Sequence, residues 1–508
     1  MTHGASMKPS LNNTMLNDIS RVITEHMGLY FPRAKWKSLE QALCTAAGEL
    51  GHKDVSECIA WFMSSRPSKE RIEALAGYLT IGETYFLREK RCFEILEQQI
   101  IPELLRSKQG HEHRLRIWSA GCSTGEEPYT IAIMLHRIRD LLKGYDLSIL
   151  ATDINPHALC KAREGIYSEW SFRTAPPWFK EHYFRQTGGK QYELIPEIRK
   201  MVTFSYCNLA EDLYPSLFSG TNALDLIFCR NVLMYFTPEL AKKVVERFNL
   251  CLLERGWLIV SPCEVSNIFL SAFASVPFPD ATLYRKQESR ETEERKRGVD
   301  EKNFFPFSLP QFPASGSVPD SPVSPGIGSR SSHDSPFSVS TVQTGESCYQ
   351  KAQSLYERGA YREASEMLTM YLTQDTKDAQ ALALLCRIYA NQGRLSEALQ
   401  MSDQAIASDR LSPGLHYLRA SILQELGMDD ESAASLKKAI YLDQDLVLAH
   451  FTLGNLEQRR GRVKESQRHF NNALSVLDSY RPDDVIPESD GMSAGRLKEI
   501  IRGTTARM

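Results

Sequence analysis

Between Trp118 and Pro128 the chain reads Trp-Ser-Ala-Gly-Cys-Ser-Thr-Gly-Glu-Glu-Pro, and a second run, Ile149-Leu-Ala-Thr-Asp153, follows soon after. These are residue types that hold a nucleoside. Gly121 and Gly125 let the backbone approach a ligand where a Cβ would collide with it. Asp153 is a lone carboxylate after an apolar run, suited to accept two ribose hydroxyls at a sheet's carboxyl edge. Cys122 shares the glycine turn and reads as a small residue in a tight loop, not as a nucleophile.

Such residues need strands that deliver them to one edge of a sheet. Apolar β-type runs at 115–118, 147–152, 202–206, 224–229, 256–261 and 281–285 alternate with helical stretches, as a doubly wound parallel sheet requires. Pro128 suits a helix's first turn, and Ile131, Leu135, Ile138 and Leu142 continue it at helical spacing. The glycine pattern is not the GxGxxG of dinucleotide enzymes. The alternative nucleoside is S-adenosylmethionine, which the rest of the chain favours.

Composition narrows the classes. A net charge of -3 over 508 residues offers no global basic field for nucleic acid. Eleven cysteines without a CxxC pair suit reduced thiols and predict no zinc site. No apolar run approaches 18 residues, and the start lacks a charged-then-apolar signal, so a soluble, cytoplasmic protein without membrane insertion is expected.

The chain divides into regions. Residues 11–82 read as amphipathic helices carrying Ile19, Val22, Ile23 and Met27, then Leu39, Leu43 and Ala47, then Ile72, Leu75 and Leu79. Residues 83–287 form the α/β region. The Ser/Pro-rich stretch 288–345 is expected to be a disordered linker, since it cannot bury enough surface to offset its chain entropy. In 346–480, Gly359, Gly393, Gly427 and Gly461 recur every 34 residues, as do Ala364, Ala398, Ser432 and Ser466, and Tyr371, Ala405, Ala439 and Ala473. That period is the one of tetratricopeptide repeats, four of them, whose concave face suits a protein or peptide. The tail, 481–508, is expected to carry a capping helix from about 494 to 502.

Several separated motifs, in order, resemble one family. They are Thr84-Tyr-Phe-Leu-Arg88-Glu, Ala120-Gly-Cys-Ser-Thr-Gly-Glu-Glu-Pro-Tyr129, Ala151-Thr-Asp153-Ile, Asn208-Leu209 and Phe228-Cys-Arg230-Asn231-Val-Leu-Met-Tyr235-Phe. Together they resemble the CheR-type chemotaxis receptor methyltransferases, S-adenosylmethionine-dependent protein-glutamate O-methyltransferases, in a form extended by tetratricopeptide repeats. The resemblance implies a Rossmann-like α/β methyltransferase domain with an N-terminal helical subdomain and a small β-subdomain inserted at 162–202, followed by an all-α repeat solenoid. It implies Thr84 and Arg88 beside the methionine moiety, Glu126 or Glu127 near its ammonium, Asp153 on the ribose, Asn208 and Leu209 along the adenine, and Arg230 and Asn231 at the fourth strand's end. Gly121 belongs to the same set, and Gly82 stands where relatives often carry a polar residue.

The resemblance implies a chemoreceptor-like protein substrate, and the chemistry agrees. A glutamate, with a pKa near 4.3, is already a nucleophile at neutral pH, so methyl transfer needs alignment and dryness and no base. Arg88 would hold the incoming carboxylate and Tyr235 would orient it, unless Tyr235 is core packing. Arg33, Lys35 and Lys37 are either a solvated face or a docking surface for an acidic receptor. The competing class is a non-catalytic adaptor that keeps the fold and works through its repeats.

Overall fold

Seven strands make one twisted sheet whose order records two crossovers. They are β1 (Arg114–Ala120), β2 (Asp146–Asp153), β6 (Val202–Tyr206), β7 (Leu224–Phe228), β8 (Leu252–Ile259), β9 (Phe273–Phe278) and β10 (Ala281–Lys286). They lie in the order β6-β2-β1-β7-β8-β10-β9. The first five run parallel, and β10 returns antiparallel to both β8 and β9. The computed structural model describes residues 11–64, 67–108, 113–211, 213–267, 272–287, 348–374, 377–489 and 492–505. The expected linker at 288–345 lies outside them.

The central strands are buried on both faces, β7 along its whole length, which is why they read as continuous apolar runs and not as alternation. The edge strand β9 escaped the sequence reading because Pro277 interrupts its pattern. An edge tolerates the missing donor. The helix after β1 spans Glu126–Arg137 and so stops before the expected Ile138 and Leu142. Leu142 still reaches the core, from a turn closed by three-residue hydrogen bonds.

Between β2 and β6 stands a second sheet of β3 (Ile166–Ser168), β5 (Gln191–Leu194) and β4 (Phe184–Thr187), all antiparallel. It packs through Phe172, Phe179 and Phe184, which crowd Phe86 at centroid distances of 5.0–5.5 Å. At the N-terminus α1 (Asn13–Met27), α2 (Trp36–Glu49), α3 (Val55–Met63) and α4 (Lys69–Leu79) bury their own apolar cluster. Asn12 caps α1 by accepting from Met15 N, and Gly28 ends it in the left-handed region.

The C-terminal region is a stack of helix pairs. These are Cys348–Glu357 with Tyr361–Gln374, Ala379–Asn391 with Leu395–Ser408, Pro413–Glu425 with Asp429–Leu442, and Val447–Arg459 with Val463–Leu477. The four periodic glycines sit in the turns within each pair at φ between 72° and 74°, a conformation that costs other residues strain. Ala364, Ala398, Ser432 and Ser466 are fully buried where the paired helices touch, and the hydroxyls of Ser432 and Ser466 donate to carbonyls of the facing helix. A last helix, Ala494–Thr505, covers the end of the stack through Leu497 and Ile501.

The repeats do not stand apart from the sheet. Arg116 in β1 pairs with Glu425 (Nη1–Oε2 2.6 Å) and Arg114 joins the same carboxylate at 3.3 Å. The Phe218 ring lies tilted against Phe451 at a centroid distance of 5.7 Å, and Gly359 and Gly393 lie against Leu250 and Leu253. The repeats thus meet the amino end of β1. Among the described residues, no helix is long and apolar enough to cross a membrane.

Candidate active site

A cavity opens at the opposite, carboxyl end of β1, β2 and β7, where the strand order reverses between β1 and β7. Such a switch point is where open α/β sheets bind ligands. Gly121, Ser123, Asp153, Asn208, Leu209, Asn231 and Tyr235 line it together with Gly82. Four of the five motifs therefore converge on one space, and the Thr84–Glu89 motif approaches it through Gly82.

Asp153 ends β2. Its Oδ2 accepts from Ser123 N and its Oδ1 from Asn155 N, each at 2.8 Å. Each carboxylate oxygen keeps a second lone pair for a ligand hydroxyl. Burial pushes this carboxyl up from its usual value, and the backbone donors of Asn155 and Ser123 oppose that shift. Met27, Leu29, Leu79, Ile154, Leu209 and Val232 supply apolar wall for a flat base. A nucleoside fits this donor set: a carboxylate at one point and apolar faces around it.

Gly121 borders the cavity and has a further reason to be glycine. At φ +82° an added Cβ would lie 2.3 Å from Val232 Cγ2, and at Gly125 (φ +93°) it would meet Ala162 Cβ at 2.9 Å. These glycines make room for neighbouring protein, and only Gly121 borders the cavity. Cys122 is buried, and burial, with Asp153 and Glu127 nearby, pushes its thiol well up. It is an inert thiol in the turn.

The two motif acids separate. Glu126 turns toward the inserted sheet, accepting from Thr124 Oγ1 (2.6 Å) and Ser171 Oγ (3.1 Å). Glu127 accepts from Ser119 Oγ (2.8 Å) and pairs with Arg230 Nη1 (3.2 Å). Burial raises both carboxyls above their usual value. Neither borders the cavity. Arg230, almost fully buried, also pairs with Glu89 (3.0 Å) and donates to Arg88 O (2.6 Å), so it fastens the Thr84–Glu89 motif to the end of β7. Arg88 donates to Glu83 O at 2.8 Å, and its charge opposes the burial that raises the Tyr235 phenol. Thr84 is half-buried, two residues after cavity-lining Gly82, and Thr84, Arg88 and Arg230 do not themselves border the cavity. Asn208's side chain is committed to protein: its amide donates to His26 O (2.8 Å) and Glu211 Oε1 (3.3 Å), and its oxygen accepts from Ala210 N.

Two features went unseen in the sequence. The N-terminal helices wall the cavity with Met27, Leu29 and Leu79, and Lys35 lies 5.9 Å from the Tyr235 ring centroid. The buried Glu264 accepts from the backbone N of Asn231 (2.9 Å), Val232 (2.7 Å), Leu233 (2.8 Å) and Ser261 (2.9 Å), and so shapes the loop after β7. Ser261-Pro-Cys-Glu264 is an S-x-x-E capping pattern, which was the available signal. Leu87, Glu89, Ser123 and Asn231 all hold left-handed backbone, φ 48° to 60°, in this small region. Such strain persists only where the surroundings over-determine it.

Comparison with known proteins decides the family. Residues 82–276 match the model described as CheR methyltransferase, SAM binding domain. A chemotaxis protein methyltransferase of Borreliella burgdorferi is 34% identical over 49% of this chain and 87% of its own length. The chain belongs to the CheR methyltransferase family. Chemotaxis protein methyltransferase 2 of Vibrio cholerae is 31% identical over 53% of this chain and 92% of its own. The match to a SAM-binding domain makes S-adenosylmethionine the cofactor of this chain. Tetratricopeptide models match 355–422 and 413–446, and the 34-residue period carries the architecture on to Leu477. A solved MamA chain from Desulfovibrio magneticus RS-1 aligns with 26% of this chain and 75% of its own at 19% identity, with a TM-score of 0.25, too slight to carry an argument.

Proposed function

We propose that this CheR-family methyltransferase esterifies glutamate side chains on the cytoplasmic signalling helices of a chemoreceptor-like protein. What supports this most is the cavity at the carboxyl ends of β1, β2 and β7, which Asp153, Asn231 and Tyr235 line together. S-adenosylmethionine, when bound, supplies an electrophilic methyl group on a sulfonium.

The chain's residues do the rest by holding and drying. Asp153 would accept the ribose hydroxyls, and Leu209 and Met27 would offer apolar wall to the base. Asn231 and Gly121 border the cavity between β7 and β1, and Arg230, paired with Glu127, ties down Arg88 through its carbonyl, so that Thr84 and Arg88 would serve the methionine end. Arg88 takes the substrate carboxylate by charge-assisted bonds, and Tyr235 orients it. Alignment of this kind can supply about 7–11 kcal/mol. The Arg33, Lys35 and Lys37 cluster, near Tyr235, suits an acidic receptor helix. The repeats add a protein or peptide contact away from the cavity.

The test is incubation of the full chain with methyl-labelled S-adenosylmethionine and a purified receptor signalling fragment. Base-labile label that disappears when the fragment's glutamates are changed to alanine is expected. Base-stable label would sink the ester. Arg88→Ala should lose about ten- to a hundredfold in turnover with little change in melting. A variant that melts early yet turns over normally would make Arg88 structural.

A further inference from the structure

The wall of the cavity along the expected adenine is the loop Cys207–Leu209, and it is fastened from outside the matched domain. Glu211 holds that loop by accepting from the Asn208 amide (Oε1, 3.3 Å). Its other oxygen, Oε2, accepts from Arg496 Nη1 at 2.7 Å. Arg496 belongs to the helix Ala494–Thr505, beyond the last repeat, and its guanidinium lies over the Tyr206 ring at the end of edge strand β6 (5.3 Å). The Arg496 side chain is largely buried while Glu211 is partly exposed, so the pair is screened by water on one side only. On the inner side, the same Asn208 amide donates to His26 O in α1, joining the N-terminal helices to the loop.

We propose that Arg496 is a positioning residue for S-adenosylmethionine: through Glu211 it sets Asn208 and the loop 207–209, so the helix after the repeats completes the cofactor site. This rests on reading the cavity as the cofactor site. It makes cofactor affinity depend on whether the repeat array and its tail stay seated on the sheet.

The experiment is calorimetric titration of the full chain with S-adenosylhomocysteine, the stable product, beside receptor-methylation kinetics. Arg496→Met should raise Kd about fivefold, and Glu211→Gln should do the same. The double variant should be no worse than either single one, because both break one chain of contacts. KM for S-adenosylmethionine should rise with kcat unchanged, and Arg496→Lys should recover part of the affinity. Kd within twofold of wild type in Arg496→Met would overturn the proposal, as would additive losses in the double variant. Should Arg496→Met fail to fold, Glu211→Gln against Arg496→Lys decides it in the same way. No binding by the wild type would overturn the cavity reading itself, whereas wild-type binding with an unaffected variant overturns only the role of Arg496.

Discussion

Asp153 does two jobs with one carboxylate. Its oxygens each bind one backbone N–H of the protein, which fixes the turn at Ser123 and the start of the helix Pro156–Glu164, and each retains a lone pair facing the cavity. Asp153→Asn therefore tests the ligand role with less damage than alanine. It keeps the volume but removes the charge and turns an amide against one of the two N–H donors. Loss of about 1.5–3 kcal/mol, or tenfold and more in Kd for S-adenosylmethionine, is expected from charge-assisted bonds alone. Near-wild-type affinity by calorimetry would take Asp153 out of the site.

At the scale of elements, the loop after β7 depends on a residue the motif does not contain. Glu264 Oε1 collects the N–H groups of Val232 and Leu233 in the turn that presents Asn231 and Tyr235. Glu264→Gln puts amide hydrogens against those donors, and each buried donor left unpaired costs about 1–3 kcal/mol. We expect lower melting and lost cofactor affinity together. Unchanged melting would show that the turn holds itself. In the last repeat, His450 and His469 bring their Nδ1 atoms within 3.3 Å, and burial, reinforced by the charge of His450, lowers His469 to about 4. The folded state therefore refuses a proton that the unfolded chain accepts near 6.5. Stability is full above that value and falls as pH drops from about 6.5 toward 4. His469→Gln should flatten this slope in melting curves taken across that range.

For the whole molecule, β1 ties both halves together, with Arg116 near its amino end and Gly121 just past its carboxyl end. Arg116 is almost wholly buried, and besides Glu425 it donates to Gly220 O at 3.0 Å. Removing one member of a buried pair leaves the other uncompensated, at about 3–5 kcal/mol, while replacing both by apolar residues is often neutral. Glu425→Leu alone should therefore melt well below wild type, and Arg116→Met with Glu425→Leu should recover most of the loss. Equal melting of the two variants would mean that Arg114 and the apolar contacts carry the interface. The same contacts seat the repeat region on the catalytic region. Leu250, Leu253 and Phe218 face the repeats, so a fragment ending near 287 would expose an apolar face.

Local and periodic signals were legible in the chain. The runs that became β1, β2, β6, β7, β8 and β10, the 34-residue repeat, and the motifs that surround the cavity are all properties of neighbouring residues, and hydrophobic period and turn chemistry act over such distances. Tertiary structure decided what depends on partners far along the chain. Gly121 is glycine because Val232 lies against it, Glu126 and Glu127 part because one meets Ser171 and the other Arg230, and Glu264 matters because it meets a loop some 30 residues earlier. Met27 and Leu29 reach the cavity only once α1 has packed against the loop at Asn208. The seating of the repeats on β1 rests on Arg116 meeting Glu425 across 309 positions. No pattern within a window of sequence records such a pairing, because the free energy of burial is set by what the folded chain brings near, not by what lies beside it in order.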